Sequence, residues 1–132
     1  KSRKPTENEK KLIKEYWEIV SKNIPEWQLL IQGKTSSSEL RKSFVHTNTN
    51  CLNAIGIAGQ IIIEQNPDSW KDVLKNLKDI DWSRESQDWE KRLILNGQMQ
   101  KHAAGIDLAA NVILQKCGIP LSEDRQKIED RL

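Results

Sequence analysis

Apolar side chains recur every three to four positions along almost the whole chain. Proline, glycine or a capping serine, threonine or asparagine interrupts that rhythm at short intervals. Such spacing gathers the apolar residues on one face of a helix, whereas a half-buried strand needs strict alternation. No alternating run, internal repeat or low-complexity tract competes with it. The pattern predicts an all-α fold, a compact helical bundle of five to six helices with a long central helix and short connections.

The interruptions place the helices. Thr6 and Glu9 have capping-box spacing ahead of Leu12, Ile13, Tyr16, Trp17, Val20 and Ile24, and Pro25 ends that stripe. Trp27 to Ile31 reads as a helical turn closed by Gln32 and Gly33. Ser36 with Glu39 repeats the capping spacing, and the longest apolar pattern then runs from about Ser37 to Gln65, the expected central helix. Gly56 and Gly59 lie inside it. A glycine within a helix costs about 1 kcal/mol relative to alanine, so this pair points to close helix–helix approach or a kink. Asn66-Pro67 starts a third helix through Trp70, Val73, Leu74 and Leu77. Residues 80–85 read as a junction, after which Ser86 caps a fourth helix through Trp89, Leu93 and Leu95 that Asn96-Gly97 closes. Gln98 to Gly105 reads as an extended loop or a small hairpin arm. Asp107 caps a fifth helix, and Ser122 a last, charged one.

A length of 132 residues suits one domain over 1–132, and 36% apolar with 30% charged residues is a globular composition that needs no metal or disulfide. Five tryptophans against one Phe and one Tyr put bulky rings with an N–H donor at helix junctions. Cys51 and Cys117 have no Cys- or His-rich neighbours, so no zinc site is expected; buried free thiols are favoured over a disulfide, which sequence leaves open. The longest apolar stretch, Leu52 to Ile63, is broken by Asn53, Gly56, Gly59 and Gln60, so no membrane span and a cytoplasmic location are expected. The chain starts at Lys1, not Met, and is expected to be a fragment, the C-terminal part of a longer protein.

Catalytic motifs are missing. There is no phosphate-binding glycine loop, nucleophile elbow, paired-His metal motif or Cys-x-x-Cys, so no catalysis, metal or cofactor is expected. His46 and His102 have no nucleophile or carboxylate nearby in sequence and read as structural or surface residues. The densest polar–aromatic cluster is Asp81-Trp82-Ser83-Arg84 with Trp89-Glu90-Lys91-Arg92. In the favoured reading it is a clamp, with Asp81 capping backbone N–H groups or pairing with Arg84 or Arg92 while both tryptophans wedge the core. The competing reading turns the arginines outward as a phosphate site. A net charge of +2 is nearly balanced, so a nucleic-acid partner would need a local basic face, for which Arg41, Lys42, Arg84, Arg92 and Lys101 are candidates.

Several pieces in order resemble the C-terminal helical half of the DndB family of DNA sulfur modification proteins, relatives of the DGQHR-domain proteins. They are Tyr16-Trp17, Ile24-Pro25-Glu26-Trp27, Glu39-Leu40-Arg41, Ala54-Ile55-Gly56 with Gly59, and Trp70 with Leu77. Next come Ile80-Asp81-Trp82-Ser83-Arg84, Trp89-Glu90-Lys91-Arg92 with Gly97, Asn111, and Gly118-Ile119-Pro120-Leu121-Ser122. The Ile-Asp-Trp-Ser-Arg motif and its spacing to Trp89 are the most specific. The family's Asp-Gly-Gln-His-Arg signature is absent, and Asn96-Gly97-Gln98 is a chance echo of it. The resemblance implies a bacterial system in which sulfur replaces a non-bridging phosphate oxygen of DNA. It implies an accessory that regulates the modification genes, with other subunits doing the chemistry. DNA and other DNA-modification proteins are the partners this implies; an alternative role is a module docking the N-terminal half or those subunits.

Overall fold

The computed structural model describes residues 4–100 and 103–132. Seven α-helices are present among them: α1 (Glu7–Lys22), α2 (Pro25–Ile31), α3 (Ser37–Ser43), α4 (Thr49–Gln65), α5 (Trp70–Val73), α6 (Ala103–Lys116) and α7 (Glu123–Asp130). Two 3-10 turns, Leu74–Asp79 and Gln87–Trp89, and a two-stranded hairpin of β1 (Ile94–Leu95) and β2 (Gln98–Met99) complete it. Among the described residues the fold is mostly helical, with that hairpin as its one small sheet, as the periodicity predicts.

Local chemistry starts α1 and α7 where expected. The Thr6 hydroxyl accepts from the Glu9 N–H at 3.1 Å while the Glu9 carboxylate accepts from the Thr6 N–H at 2.8 Å, a complete capping box. Ser122 accepts from the Arg125 N–H at 3.2 Å. Pro25 serves as the first residue of α2.

The single helix expected over Ser37 to Gln65 is two helices. The Val45 N–H donates to the Trp82 carbonyl (2.9 Å) and the Arg84 N–H to the Ser43 carbonyl (2.8 Å), so Phe44 is drawn into an antiparallel bridge with Ser83. Phe44 takes an extended conformation there, and the Asn48 side chain, accepting from the Asn50 N–H at 2.9 Å, caps a fresh start for α4. Backbone pairing from far along the sequence overrides local helix preference. The fourth helix expected from Ser86 through Leu95 is also absent: after the turn at Gln87–Trp89 the backbone passes through a left-handed residue at Lys91 (φ 67°) and enters the hairpin. Asn96 (φ 53°) and Gly97 (φ 81°) form its two-residue turn, both in the left-handed conformation this tight connection requires. Asp107 lies inside α6, which begins at Ala103, and is not its cap.

α4, the longest of these helices, packs along α6 as the central pair. Ile55, Ile62, Leu74, Leu77, Trp89 and Ile113 are fully buried around them. α1 crosses α4 where Gly59 leaves room for the Tyr16 ring, whose hydroxyl donates to the Ile55 carbonyl at 2.6 Å. A methyl group on Gly59 would run into that ring, whereas one on Gly56 would meet Trp17 at an ordinary 3.8 Å.

The two glycines should answer to alanine with opposite signs. Gly59→Ala is expected to destabilise the fold by about 1–3 kcal/mol through overpacking. Gly56→Ala is expected to gain up to about 1 kcal/mol from helix preference. Urea unfolding of both variants checks this; equal shifts would contradict it.

Candidate functional site

The segment from Ile80 to Arg92 wraps a pair of stacked indoles. Trp82 and Trp89 lie 5.5 Å apart with their planes 16° from parallel, 3% and 0% exposed. Neither ring nitrogen is orphaned: Trp82 donates to the Leu77 carbonyl (3.3 Å) and Trp89 to the Asp81 carbonyl (2.8 Å). The Asp81 carboxylate accepts from the Ser83 N–H at 3.0 Å and tightens the corner. Asp81, Trp82, Ser83 and Trp89 thus have the geometry of a clamp, with the carboxylate on a backbone N–H; the arginines are engaged elsewhere.

His46 closes the aromatic cluster from the other side. Fully buried, it stacks on Phe44 (5.1 Å, 11°) and lies 5.7 Å from the Trp82 ring. Trp27 Nε1 donates to its Nδ1 at 3.3 Å, and its Nε2 meets the Glu26 carboxylate at 2.9 Å. An indole N–H can only donate, so Nδ1 is bare and the neutral ring carries its hydrogen on Nε2, which donates to Glu26. Burial lowers the imidazole pKa from its ordinary value, outweighing the hydrogen bond and negative charge of Glu26, which raise it. Sequence reasoning missed this carboxylate because twenty positions separate it from His46. With both nitrogens engaged inside the cluster, the ring offers a substrate no lone pair. Lys101 and His102 lie outside the described residues.

The remaining basic candidates fall into two kinds. Arg41 and Lys42 are exposed on the last turn of α3, where Lys42 pairs with Glu39 at 3.3 Å. Arg84 reaches back across that edge, donating to the Arg41 carbonyl (3.2 Å) and to the Gly97 carbonyl in the hairpin turn (3.0 Å), and so ties α3 to the hairpin. Arg92 is 14% exposed and points inward. Its Nη1 and Nη2 grip the Glu129 carboxylate at 2.6 and 2.9 Å, and Nη1 also donates to the Leu108 carbonyl at 3.1 Å. Three of the five candidates, Arg41, Lys42 and Arg84, therefore meet at one edge, and Arg92 does not join them.

Glu129 belongs to a buried polar network that sequence reasoning also missed. The fully buried Asn111 donates to Glu129 at 3.0 Å and accepts from Arg125 at 3.0 Å. Burial alone would raise the Glu129 pKa, but hydrogen bonds from Arg92 and Asn111 and the Arg92 charge bring it below the ordinary carboxylate value. One signal was legible: Asn111 is a lone polar residue within the apolar run Ala109 to Leu114. Cys51 and Cys117 are free and buried; burial pushes the Cys117 thiol up to about 11, so neither is an activated nucleophile. Among the described residues no three His, Cys, Asp or Glu side chains gather as metal ligands would, and no helix is long and apolar enough to cross a membrane.

A model of the family DndB, described as DNA-sulfur modification-associated, matches residues 1–120 of the chain. No curated protein and no solved structure matches it.

Trp82→Ala or Trp89→Ala is expected to cost about 3 kcal/mol or more, as for any large ring removed from a core; unchanged melting of both would contradict the clamp. Acid should weaken the fold in two stages. His46 binds a proton less readily folded than unfolded, so its contribution is complete above the ordinary imidazole value of 6.5 and declines below it. Glu129, lowered from 4.5, holds its contribution above that value and loses it as pH falls through its folded pKa. Melting temperature followed from pH 8 to 4 should be level at first and fall below about 6.5, and His46→Gln should remove the first stage. A flat profile down to pH 5 would contradict this.

Proposed function

The chain belongs to the DndB family of DNA-sulfur modification-associated proteins, and from that premise we propose that it is a non-enzymatic accessory of DNA phosphorothioation. It acts in the cytoplasm by contacting DNA and regulating expression of the modification genes. The observation that carries the DNA contact is the edge where Arg41 and Lys42 stand exposed beside Arg84. The Lys42–Glu39 pair is exposed at both ends. Such pairs contribute only about 0–1 kcal/mol, so a phosphate can displace the carboxylate. Arg84 fixes the edge by holding two carbonyls while its charge adds to the local field. The absence of an enzymatic role is supported by the enclosure of His46 and by the lack of an activated nucleophile beside it.

A second reading, docking of another protein, draws support from a groove of about 750 Å³ between α1 and α4. Leu12 and Ile13, both exposed, line it with Trp17 and the glycine face of α4. Apolar surface gathered in this way suits a protein partner.

Fluorescence anisotropy with a duplex DNA at 50 and 200 mM salt (values chosen for the steep range of phosphate contacts) separates the readings. Wild-type protein is expected to bind at the lower salt. Arg41→Glu with Lys42→Glu should weaken binding at least tenfold and reduce the slope of log affinity against log salt by about 2, one for each lost phosphate contact. No wild-type binding at either salt would remove the DNA reading and leave the groove as the functional surface.

A further inference from the structure

α7 is attached to the domain unlike the other long helices. It contributes no buried residue, and Leu132 beyond it is exposed. Its anchor is polar: Glu129 sits between the Arg92 guanidinium and the Asn111 amide, and Arg125 bonds Asn111 and lies 3.6 Å from the Asp107 carboxylate. An element with so little buried apolar surface opens locally far more readily than the core.

The donors that α7 covers form a coherent set. Two guanidinium nitrogens and one amide nitrogen converge on a single carboxylate at 2.6–3.0 Å, with Asn111 fully buried beneath it. A forked guanidinium beside a fixed amide donor suits a phosphate oxygen pair as well as a carboxylate. Both donors lie within the stretch matched by the family, which ends before Glu129. Arg92 also lies two residues before the hairpin whose turn receives Arg84, so this covered guanidinium and the basic edge are tied to one small element, while Asn111 is held on α6.

We propose that α7 is a releasable latch whose Glu129 carboxylate occupies, as an internal anion, a phosphate site formed by Arg92 and Asn111. The phosphodiester backbone of DNA displaces it. The ligand class rests on the DNA reading above; the masking rests on the contacts of Glu129. In the latched state Arg92 is withheld, and among the described candidates it is the Arg41–Lys42 edge that meets DNA. When α7 lifts, Arg92 adds a further phosphate contact, so affinity is set by the latch as well as by the exposed charges.

The test uses the full chain and the same duplex. Glu129→Gln keeps the side-chain shape and removes the internal anion. It should tighten DNA binding about five- to tenfold at 50 mM salt and steepen the salt slope by about 1. The double variant Arg92→Gln, Glu129→Gln should lose that gain. Glu123→Gln, an equal charge change at an exposed position of α7, should produce much less of it. A folded Glu129→Gln protein that binds no tighter than wild type, or a Glu123→Gln variant that gains as much, overturns the latch. Should Glu129→Gln fail to fold, hydrogen exchange of the wild-type protein decides: faster exchange in residues 123–130 on adding DNA supports the latch, and unchanged or slower exchange overturns it. Wild-type binding without a Glu129→Gln gain would sink the latch and leave the DNA reading standing. Failure of every variant to bind would sink both.

Discussion

The indoles of Trp82 and Trp89 stack where three stretches of chain meet, and each ring holds a backbone carbonyl of the segment that carries it. Because Trp82 also lends its own carbonyl to Val45, the stack fixes the break between α3 and α4. It likewise seats His46 at a tilt beside the Trp82 ring and sets the direction in which the chain leaves for the hairpin. The apolar and polar demands of a buried indole are met together here. Burying the ring is favourable only when its N–H finds an acceptor, and the acceptors are supplied by the turn that the ring stabilises. Removing either ring loses both.

From this junction the charged groups divide into two populations. Arg84 and Arg92 belong to the same sequence cluster, yet one braces an exposed edge and the other sits against a carboxylate in a nearly buried network. A guanidinium has five donors in a fixed plane, so it holds carbonyls and carboxylates of its own fold as readily as phosphates. Arg41 and Lys42, with little tying them down, retain a free charged surface. The family is associated with DNA sulfur modification, and the geometry separates the cations that stand exposed from those that the fold itself engages.

Much of this was legible from residue order. The caps at Thr6 and Ser122 and the tight place beside Gly59 follow from interactions within a few residues or from helical spacing, whereas Pro25, read as the end of the first stripe, is in fact the first residue of α2. Most of the failures share one cause, a partner distant in sequence. The split of the expected central helix depends on Trp82, which lies thirty-seven positions beyond Val45, and no local propensity encodes that pairing. Asn96-Gly97 suits either the end of a helix or the turn of a hairpin, and the burial of Leu93 and Ile94 decides for the hairpin. The partners of His46 and Arg92 were hidden in the same way: Glu26 and Glu129 look like ordinary solvated helix residues until the fold brings them in. Asn111, a lone polar residue in an apolar run, was the one visible signal of its network, and the sequence reading did not use it.

Native-state hydrogen exchange tests most directly whether the tryptophan junction organises the domain while α7 rests on it loosely. The account predicts that the Val45 and Arg84 amides, which close the bridge between the two segments, exchange only with global unfolding, alongside the centres of α4 and α6. Amides of α7 should exchange through a much cheaper local opening. If Val45 and Arg84 exchanged as fast as α7, the junction would be a surface feature and the account would be wrong.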